Sequence, residues 1–283
     1  MPRRARLDTE LVRRGLARSR QQAAELIADG RVLVRGTPAS KPATAVETDA
    51  PVVVRKDDGP EWASRGALKL LGALGAFEPA GLSVAGRRCL DAGASTGGFT
   101  DVLLSRGAGQ VVAADVGYGQ LVWRLRSDER VHVLDRTNVR SLTPEAIGGQ
   151  VSLTVADLSF ISLRTVLPAL TACTEAGGDL VPMVKPQFEV GRRRLGPGGV
   201  VREPELRVAA LREVADAAAE LGWHPKGAVA SPAPGPAGNV EFFLWLSTGS
   251  STGPTADASP GTGEESEETV DAMLERAVRE GPQ

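Results

Sequence analysis

Lys69, Asp157, Lys185 and Glu241 stand far apart in this 283-residue chain, and each has a distinctive local setting. Lys69 lies in Ser64-Arg65-Gly66-Ala67-Leu68-Lys69-Leu70, and Asp157 ends the apolar run Leu153 to Ala156. Lys185 ends Leu180 to Val184, and Glu241 opens Glu241-Phe242-Phe243-Leu244-Trp245. Three of the four therefore fall at predicted strand ends. A charge at the end of a buried strand is costly unless it faces a cleft, and in open α/β sheets ligands bind outside the carboxyl ends of the strands. Taken singly, each residue is explained as well by a structural ion pair. Together, two amines and two carboxylates at one cleft could position a weak nucleophile and take its proton.

A second constellation, Asp91-Ala92-Gly93-Ala94-Ser95-Thr96-Gly97-Gly98-Phe99-Thr100, follows a predicted strand and opens a predicted helix. Glycines there let a ligand approach the backbone, and the helix start offers unpaired N–H donors. Asp115 ends the next strand 22 residues after Gly93, the spacing at which an acidic side chain holds ribose hydroxyls. A nucleoside-containing ligand is expected. The loop is neither G-x-G-x-x-G nor a Walker A sequence, and the acidic strand end at Asp91 suits the amino-acid tail of S-adenosylmethionine better than a pyrophosphate. The expected cofactor contacts are Asp91, Gly93, Ser95, Thr96, Gly97, Gly98, Phe99, Asp115 and Asp135. For Asp91 the alternative is a helix cap. For Asp135, read as an adenine contact, the alternative is a cap of the turn that follows it. No metal site is read from the chain.

The elements that must position these groups follow from periodicity. From Arg87 onward, apolar runs (Cys89-Leu90-Asp91, Val111 to Asp115, Val131 to Asp135, Leu153 to Asp157, Leu180 to Lys185, Lys226 to Ala230) alternate with helical patterns. That is βα repetition and predicts a Rossmann-like α/β fold with a seven-stranded, mostly parallel sheet. The last two strands, near 226–230 and 241–247, are joined by a short loop from Ser231 to Asn239, which suits antiparallel neighbours and makes the final strand antiparallel. Ahead of this domain, Leu7 and Leu11 mark a short helix over 6–15 that Gly15 stops. Ser19 and Gln22 open a second, with Ala23, Leu26 and Ile27 on one face. Strands near 31–36 and 50–54 complete a small α+β module. The expected organisation is a module over 1–56, a linker over 57–64, the large domain over 65–247 and an acidic, largely disordered tail over 248–283. Within that tail, Val270, Met273, Leu274, Ala277 and Val278 could share one face of a terminal helix.

The net charge of −2 conceals a polarity between the ends. Residues 1–56 carry 12 Lys/Arg against 6 Asp/Glu, and residues 248–283 carry 2 against 8. A basic front end points to a polyanionic partner, and an acidic Ser/Thr/Gly/Pro-rich stretch to a solvated tail. Cys89 and Cys173 fall within predicted secondary structure and are read as reduced core thiols, which points to the cytoplasm. No apolar run approaches the roughly 18 residues of a membrane span.

Arg6-Leu7-Asp8 with Ala17-Arg18-Ser19-Arg20 makes the front module resemble the S4 RNA-binding domain. The order Lys69, Asp157, Lys185, Glu241 resembles the tetrad of FtsJ-like ribose 2′-O-methyltransferases. The chain as a whole resembles the TlyA family, through Ser64 to Leu70, Asp91 to Thr100, Ala156 to Ser162, Val184 to Glu189 and Gly238 to Glu241. Ala67, where a second glycine is expected, is a departure. The resemblance implies S-adenosylmethionine-dependent methylation of a ribose 2′-hydroxyl, at cytidine in 16S and/or 23S ribosomal RNA, with ribosomal RNA or subunits as partner and a monomeric protein. It implies Lys185 as base, Asp157 as its orienting group facing the methyl donor, and Lys69 with Glu241 as holders of the ribose. A lysine serves as base only when its proton affinity falls, and the pair Lys69 and Lys185 could lower one another. The expected RNA contacts are Arg3, Arg4, Arg6, Arg14, Arg18, Arg20, Arg65, Arg192 and Arg193. Arg192-Arg193-Arg194-Leu195-Gly196 would clamp phosphates or close over a flipped nucleotide, or be an ordinary surface loop. The competing readings are a non-catalytic RNA- or ribosome-binding protein with a vestigial pocket, and a cytolysin, which would need a membrane-active segment.

Overall fold

The computed structural model describes residues 4–17, 19–28, 30–55, 61–191, 194–235, 238–249 and 268–282. The chain divides into two compact units, Met1–Glu61 and Trp62–Gln283. The second begins three residues before the expected boundary at Arg65, because Trp62 and Ala63 pack on its core and the Ala63 N–H donates to Asp101.

In the first unit, β1 (Arg4–Arg6) runs into α1 (Leu7–Arg13), followed by α2 (Arg20–Ala28), β2 (Val32–Val34), β3 (Thr37–Pro38), β4 (Ala45–Glu47) and β5 (Val52–Val54). β2 lies between β3 and β5, and β1 pairs with β4, all antiparallel. Leu7, Leu11, Ala17, Ala23, Ile27, Val32 and Val46 form its core, so the helical spacing of the apolar residues accounts for the packing. β2 and β5 are the expected strands, and β1, β3 and β4 escape sequence reading.

The second unit opens with α3 (Gly66–Phe77), which carries Lys69. The sheet then forms from β6 (Arg88–Ala92), β7 (Gln110–Ala114), β8 (Val131–Leu134), β9 (Val151–Ala156), β10 (Thr174–Val184), β11 (His224–Ala230) and β12 (Phe242–Ser247). Interleaved helices are α4 (Gly98–Ser105), α5 (Trp123–Arg126), α6 (Leu163–Cys173), α7 (Pro186–Glu189) and α8 (Pro204–Ala219). The strand order is β11-β12-β10-β9-β6-β7-β8, with β12 antiparallel to both neighbours and the other pairs parallel. This is the expected seven-stranded sheet with its last strand reversed. Cys89 in β6 and Cys173 in α6 are buried free thiols.

The C-terminal segment corrects one expectation. Residues 270–280 form α9 (Val270–Glu280), whose Met273, Leu274, Ala277 and Val278 are buried in the same core cluster as Leu211, Val214 and Ala228. The helix is amphipathic, capped by Thr269, and has found an apolar partner, so it is part of the domain. Of the stretch 248–265, expected to be disordered, Thr248 is placed and accepts the Gly177 N–H at 2.7 Å, and residues 250–265 lie outside the described residues. Among the described residues no helix is long and apolar enough to cross a membrane.

Candidate active site

Strand order brings the distant charges to one edge. Ala92 and Pro182 are the register partners of Ala156, so the residue after β9, Asp157, emerges at the carboxyl edge beside the ends of β6 and β10. Val184 pairs with Phe242 across the antiparallel β10/β12 ladder, so Lys185, just after one strand, and Glu241, just before the other, emerge together. α3 supplies Lys69 from the side. Its Nζ donates to Glu241 Oε2 at 2.6 Å and lies 3.9 Å from Asp157 Oδ2. Lys185 Nζ stands 2.5 Å from Asp157 Oδ1 as an ion pair and donates to Ser159 Oγ at 3.1 Å. The result is a line of alternating charge, Lys185, Asp157, Lys69, Glu241. Lys69, Lys185 and Glu241 are buried, and Asp157 is the more exposed member. Asp157 stands between the two amines, 3.9 Å from Lys69 and 2.5 Å from Lys185.

Beside this line lies the glycine loop. Gly93 has φ +92°, and a Cβ there would come 2.5 Å from the Asp157 carbonyl oxygen, so only glycine lets the end of β6 pass this close to the end of β9. A Cβ on Gly98 would collide with Ser64 Oγ at the start of α3, and Ala67 is fully buried within that helix, so the alanine departure leaves the first turn intact. Asp91 is wholly buried. Its Oδ2 accepts from Thr100 Oγ1 at 2.7 Å, and its Oδ1 has no hydrogen-bond partner. Burial pushes its carboxyl up to about 7, with the Thr100 hydrogen bonds pulling the other way. A buried acceptor left unmade costs about 1–3 kcal/mol, so this oxygen is suited to a donor brought by a ligand. Asp115 accepts the Ser95 N–H at 2.8 Å and the Gly117 N–H at 2.6 Å, tying the glycine loop to the loop after β7.

Other expected cofactor residues are placed differently. The Phe99 ring belongs to the core, 6.0 Å from that of Phe243, so only its backbone is available to a ligand. Thr96 gives its carbonyl to the Val122 N–H, Ser95 is exposed at φ +47°, and Gly97 is the N-cap of α4. Asp135 accepts the Gly119 N–H at 3.2 Å and pairs with Arg126 at 2.9 Å, so its carboxylate serves the loop after β7 and α5 rather than the turn that follows it.

The arginines expected to meet RNA also separate. Arg4 and Arg6 are exposed on β1, and Arg6 and Arg20 share Asp8, a buried carboxylate that holds both guanidinium groups in place. Arg14 is turned inward, bound to Glu10 and to the carbonyls of Thr48 and Ala50. Its expected place at a phosphate is thus corrected to a structural one. Arg65 precedes α3 and donates to the Pro234 carbonyl at 2.6 Å. Arg3, Arg18, Arg192 and Arg193 lie outside the described residues.

Residue-by-residue reading of the sequence missed Ser159, Phe160 and Glu189. Phe160 is 92% exposed, has φ +64° and packs its ring against Phe188 at 5.4 Å. A bare aromatic held in a left-handed conformation costs about 1–3 kcal/mol of strain and is found where function requires it. The signal was an aromatic three residues after an acidic strand end.

Residues 62–248 match the FtsJ-like methyltransferase family and residues 5–52 the S4 domain. The chain is 61% identical over 282 residues to the 16S/23S rRNA (cytidine-2′-O)-methyltransferase TlyA of Mycobacterium tuberculosis, spanning 100% of both. It is 41% identical to YqxC of Bacillus subtilis, provisionally named an rRNA methyltransferase, over 97% of this chain and 93% of that one. A solved structure from Streptococcus thermophilus, which carries a provisional hemolysin name, superposes with a TM-score of 0.72 at 36% identity, over 99% of this chain and 95% of that one. Domain order and full-length similarity agree: the chain belongs to the TlyA family, in which an S4 domain precedes an FtsJ-like methyltransferase domain.

Proposed function

We propose that this protein transfers the methyl group of S-adenosylmethionine to a ribose 2′-hydroxyl of ribosomal RNA, at cytidine, in 16S and/or 23S RNA. The observation that carries the reading is the unbroken line Lys185, Asp157, Lys69, Glu241 beside the unpartnered Asp91 Oδ1. The relatives named for cytidine 2′-O-methylation support the base and the RNA. In this reading the protein acts as a monomer in the cytoplasm.

The residues fit the cofactor. Asp91 Oδ1 would accept from the ammonium of its amino-acid tail, the backbone from Gly93 to Gly98 would follow the tail, and Asp115 would face the ribose. When bound, S-adenosylmethionine supplies a sulfonium methyl group that a ribose oxygen takes by in-line displacement, the C–S bond breaking as the O–C bond forms. Lys185 Nζ is the base for the 2′-hydroxyl proton, and Asp157 with Ser159 aims that nitrogen. Glu241 Oε1, buried and without a hydrogen-bond partner, accepts from a ribose hydroxyl while Oε2 keeps Lys69 in place. Phe160, exposed beside the base, offers a face on which a displaced nucleobase stacks.

The test is transfer of labelled methyl from S-adenosylmethionine to isolated ribosomal subunits, wild type beside Lys185→Ala, with the product mapped by resistance to alkali. Labelling by the wild type alone, at a ribose, is expected. Binding of RNA by both proteins with labelling by neither would overturn the reading in favour of a non-catalytic RNA-binding protein.

A further inference from the structure

The loops after β9 and β10 run side by side and are joined at three places. Lys185 donates to Ser159 at 3.1 Å, and the Phe188 ring meets that of Phe160 at 5.4 Å. Farther on, the Glu189 carboxylate accepts from Ser162 Oγ at 2.5 Å and from the Leu163 N–H at 2.8 Å, with Arg164 3.6 Å away. The first two joints include groups the reaction uses. The third is closed to solvent, since Glu189 is only 3% exposed, and nothing in the mechanism above requires it.

A buried carboxylate is retained only where its lone pairs are well used. α6 begins at Leu163, and its N-cap residue Ser162 makes no capping bond of its own. That hydroxyl donates to Glu189 and caps no N–H of its own helix, and Glu189 also accepts the N–H of Leu163, the first helical residue. The arrangement ties two elements: Ser162, the N-cap residue of α6 five residues past Asp157, and Glu189, the last residue of α7 four residues past Lys185. Arg164 reaches the Glu189 carbonyl as well and pairs with Glu213 of α8, so the joint is braced from a third element. Burial raises the Glu189 carboxyl above the usual carboxylate range, opposed first by the bonds from Ser162 and Leu163.

We infer that Glu189 is a positioning residue for methyl transfer, fastening the start of α6 to α7 so that Asp157 and Lys185 stay in contact at the carboxyl edge. The inference rests on the function proposed above. It acts through the Lys185–Asp157 pair, whose separation a loosened joint would widen, and a displacement of about 1 Å in such a pair costs on the order of 10²-fold in rate.

The test uses the full chain and ribosomal subunits, with Glu189→Ala, Glu189→Gln and Ser162→Ala beside the wild type, and measures kcat, KM for cofactor and RNA, and thermal unfolding. The expected result for Glu189→Ala is a fall in kcat of about 30- to 100-fold at a temperature where it is fully folded, with both KM values within about twofold. Gln, whose amide oxygen still accepts the Leu163 N–H, recovers most of the rate, and Ser162→Ala lowers kcat by about threefold to tenfold. A variant set in which melting temperatures fall while kcat stays at the wild-type value assigns Glu189 to stability alone and overturns the inference. Should Glu189→Ala not fold, Glu189→Gln and Ser162→Ala decide it: wild-type kcat in both overturns the inference, and a graded fall upholds it. Wild-type protein that labels no RNA removes the proposed function itself, an outcome separate from any difference among the variants.

Discussion

Lys69 and Glu241, 172 residues apart in sequence, form a 2.6 Å hydrogen-bonded ion pair almost sealed from solvent, with side chains 10% and 1% exposed. Removing one partner of a buried pair strands the other charge. Lys69→Ala or Glu241→Ala should each lose activity and about 3–5 kcal/mol of stability. The double variant, which strands neither, should regain part of the stability and none of the activity. Denaturant unfolding beside the methyl-transfer assay checks both halves.

Asp91 links pH to both folding and cofactor affinity. Its carboxyl, ordinarily at 3.8, is pushed up to about 7 in the folded protein, chiefly by burial. Between those values the folded state holds a proton the unfolded chain has released, so cofactor-free stability should fall as pH rises from about 4 to about 7 and level off above. A cationic ligand set against Asp91 prefers the ionised form, so cofactor affinity should move the opposite way and tighten between pH 6 and pH 8. Calorimetric titration should find this dependence in the wild type and lose it in Asp91→Asn.

Phe160 gives opposite signs for stability and turnover. Phe160→Gly relieves a left-handed φ of +64° and should stabilise the fold by up to about 1 kcal/mol. The same change removes the stacking face, worth about 1–3 kcal/mol per base, so turnover on RNA should fall by about tenfold or more with cofactor affinity unchanged. Thermal unfolding and steady-state kinetics on one preparation separate the two effects.

Arg4 and Arg14 should part company in the same experiments. Arg4→Ala, at an exposed side chain, should weaken RNA binding and lower the slope of log affinity against log salt by about one. Arg14→Ala should leave that slope unchanged and destabilise the first unit, because its guanidinium serves Glu10 and the carbonyls of Thr48 and Ala50. Filter binding across a salt series distinguishes them.

Leu274→Ala tests the docking of α9. Leu274 is fully buried, so its truncation should cost about 2–5 kcal/mol, whereas the same change in a solvated tail would be silent. Denaturant midpoints for the two proteins give the answer.

Much of this was legible in the residues. Apolar runs at strand length, broken by helical periods, determine the parallel sheet. Gly93, Gly97 and Gly98 mark, between a strand and a helix, a loop whose backbone a ligand can approach, and the four residues of the line are of the types that can hold and deprotonate a hydroxyl. Those are local properties, written in spacing and side-chain chemistry. Pairing is not local. That β12 inserts reversed between β10 and β11, setting Glu241 beside Lys185, follows from strand order and register. The inward turn of Arg14, the core place of Phe99, the capping of the 117–119 loop by Asp135 and the docking of α9 follow from which neighbour each side chain meets. An arginine, a phenylalanine or a carboxylate reads the same in sequence whether its partner is a phosphate, a cofactor or another part of the fold. By itself the sequence determined which chemistry the chain is equipped for. The tertiary structure decided which of those groups the chemistry receives, because burial and competing hydrogen bonds assign the others to the fold.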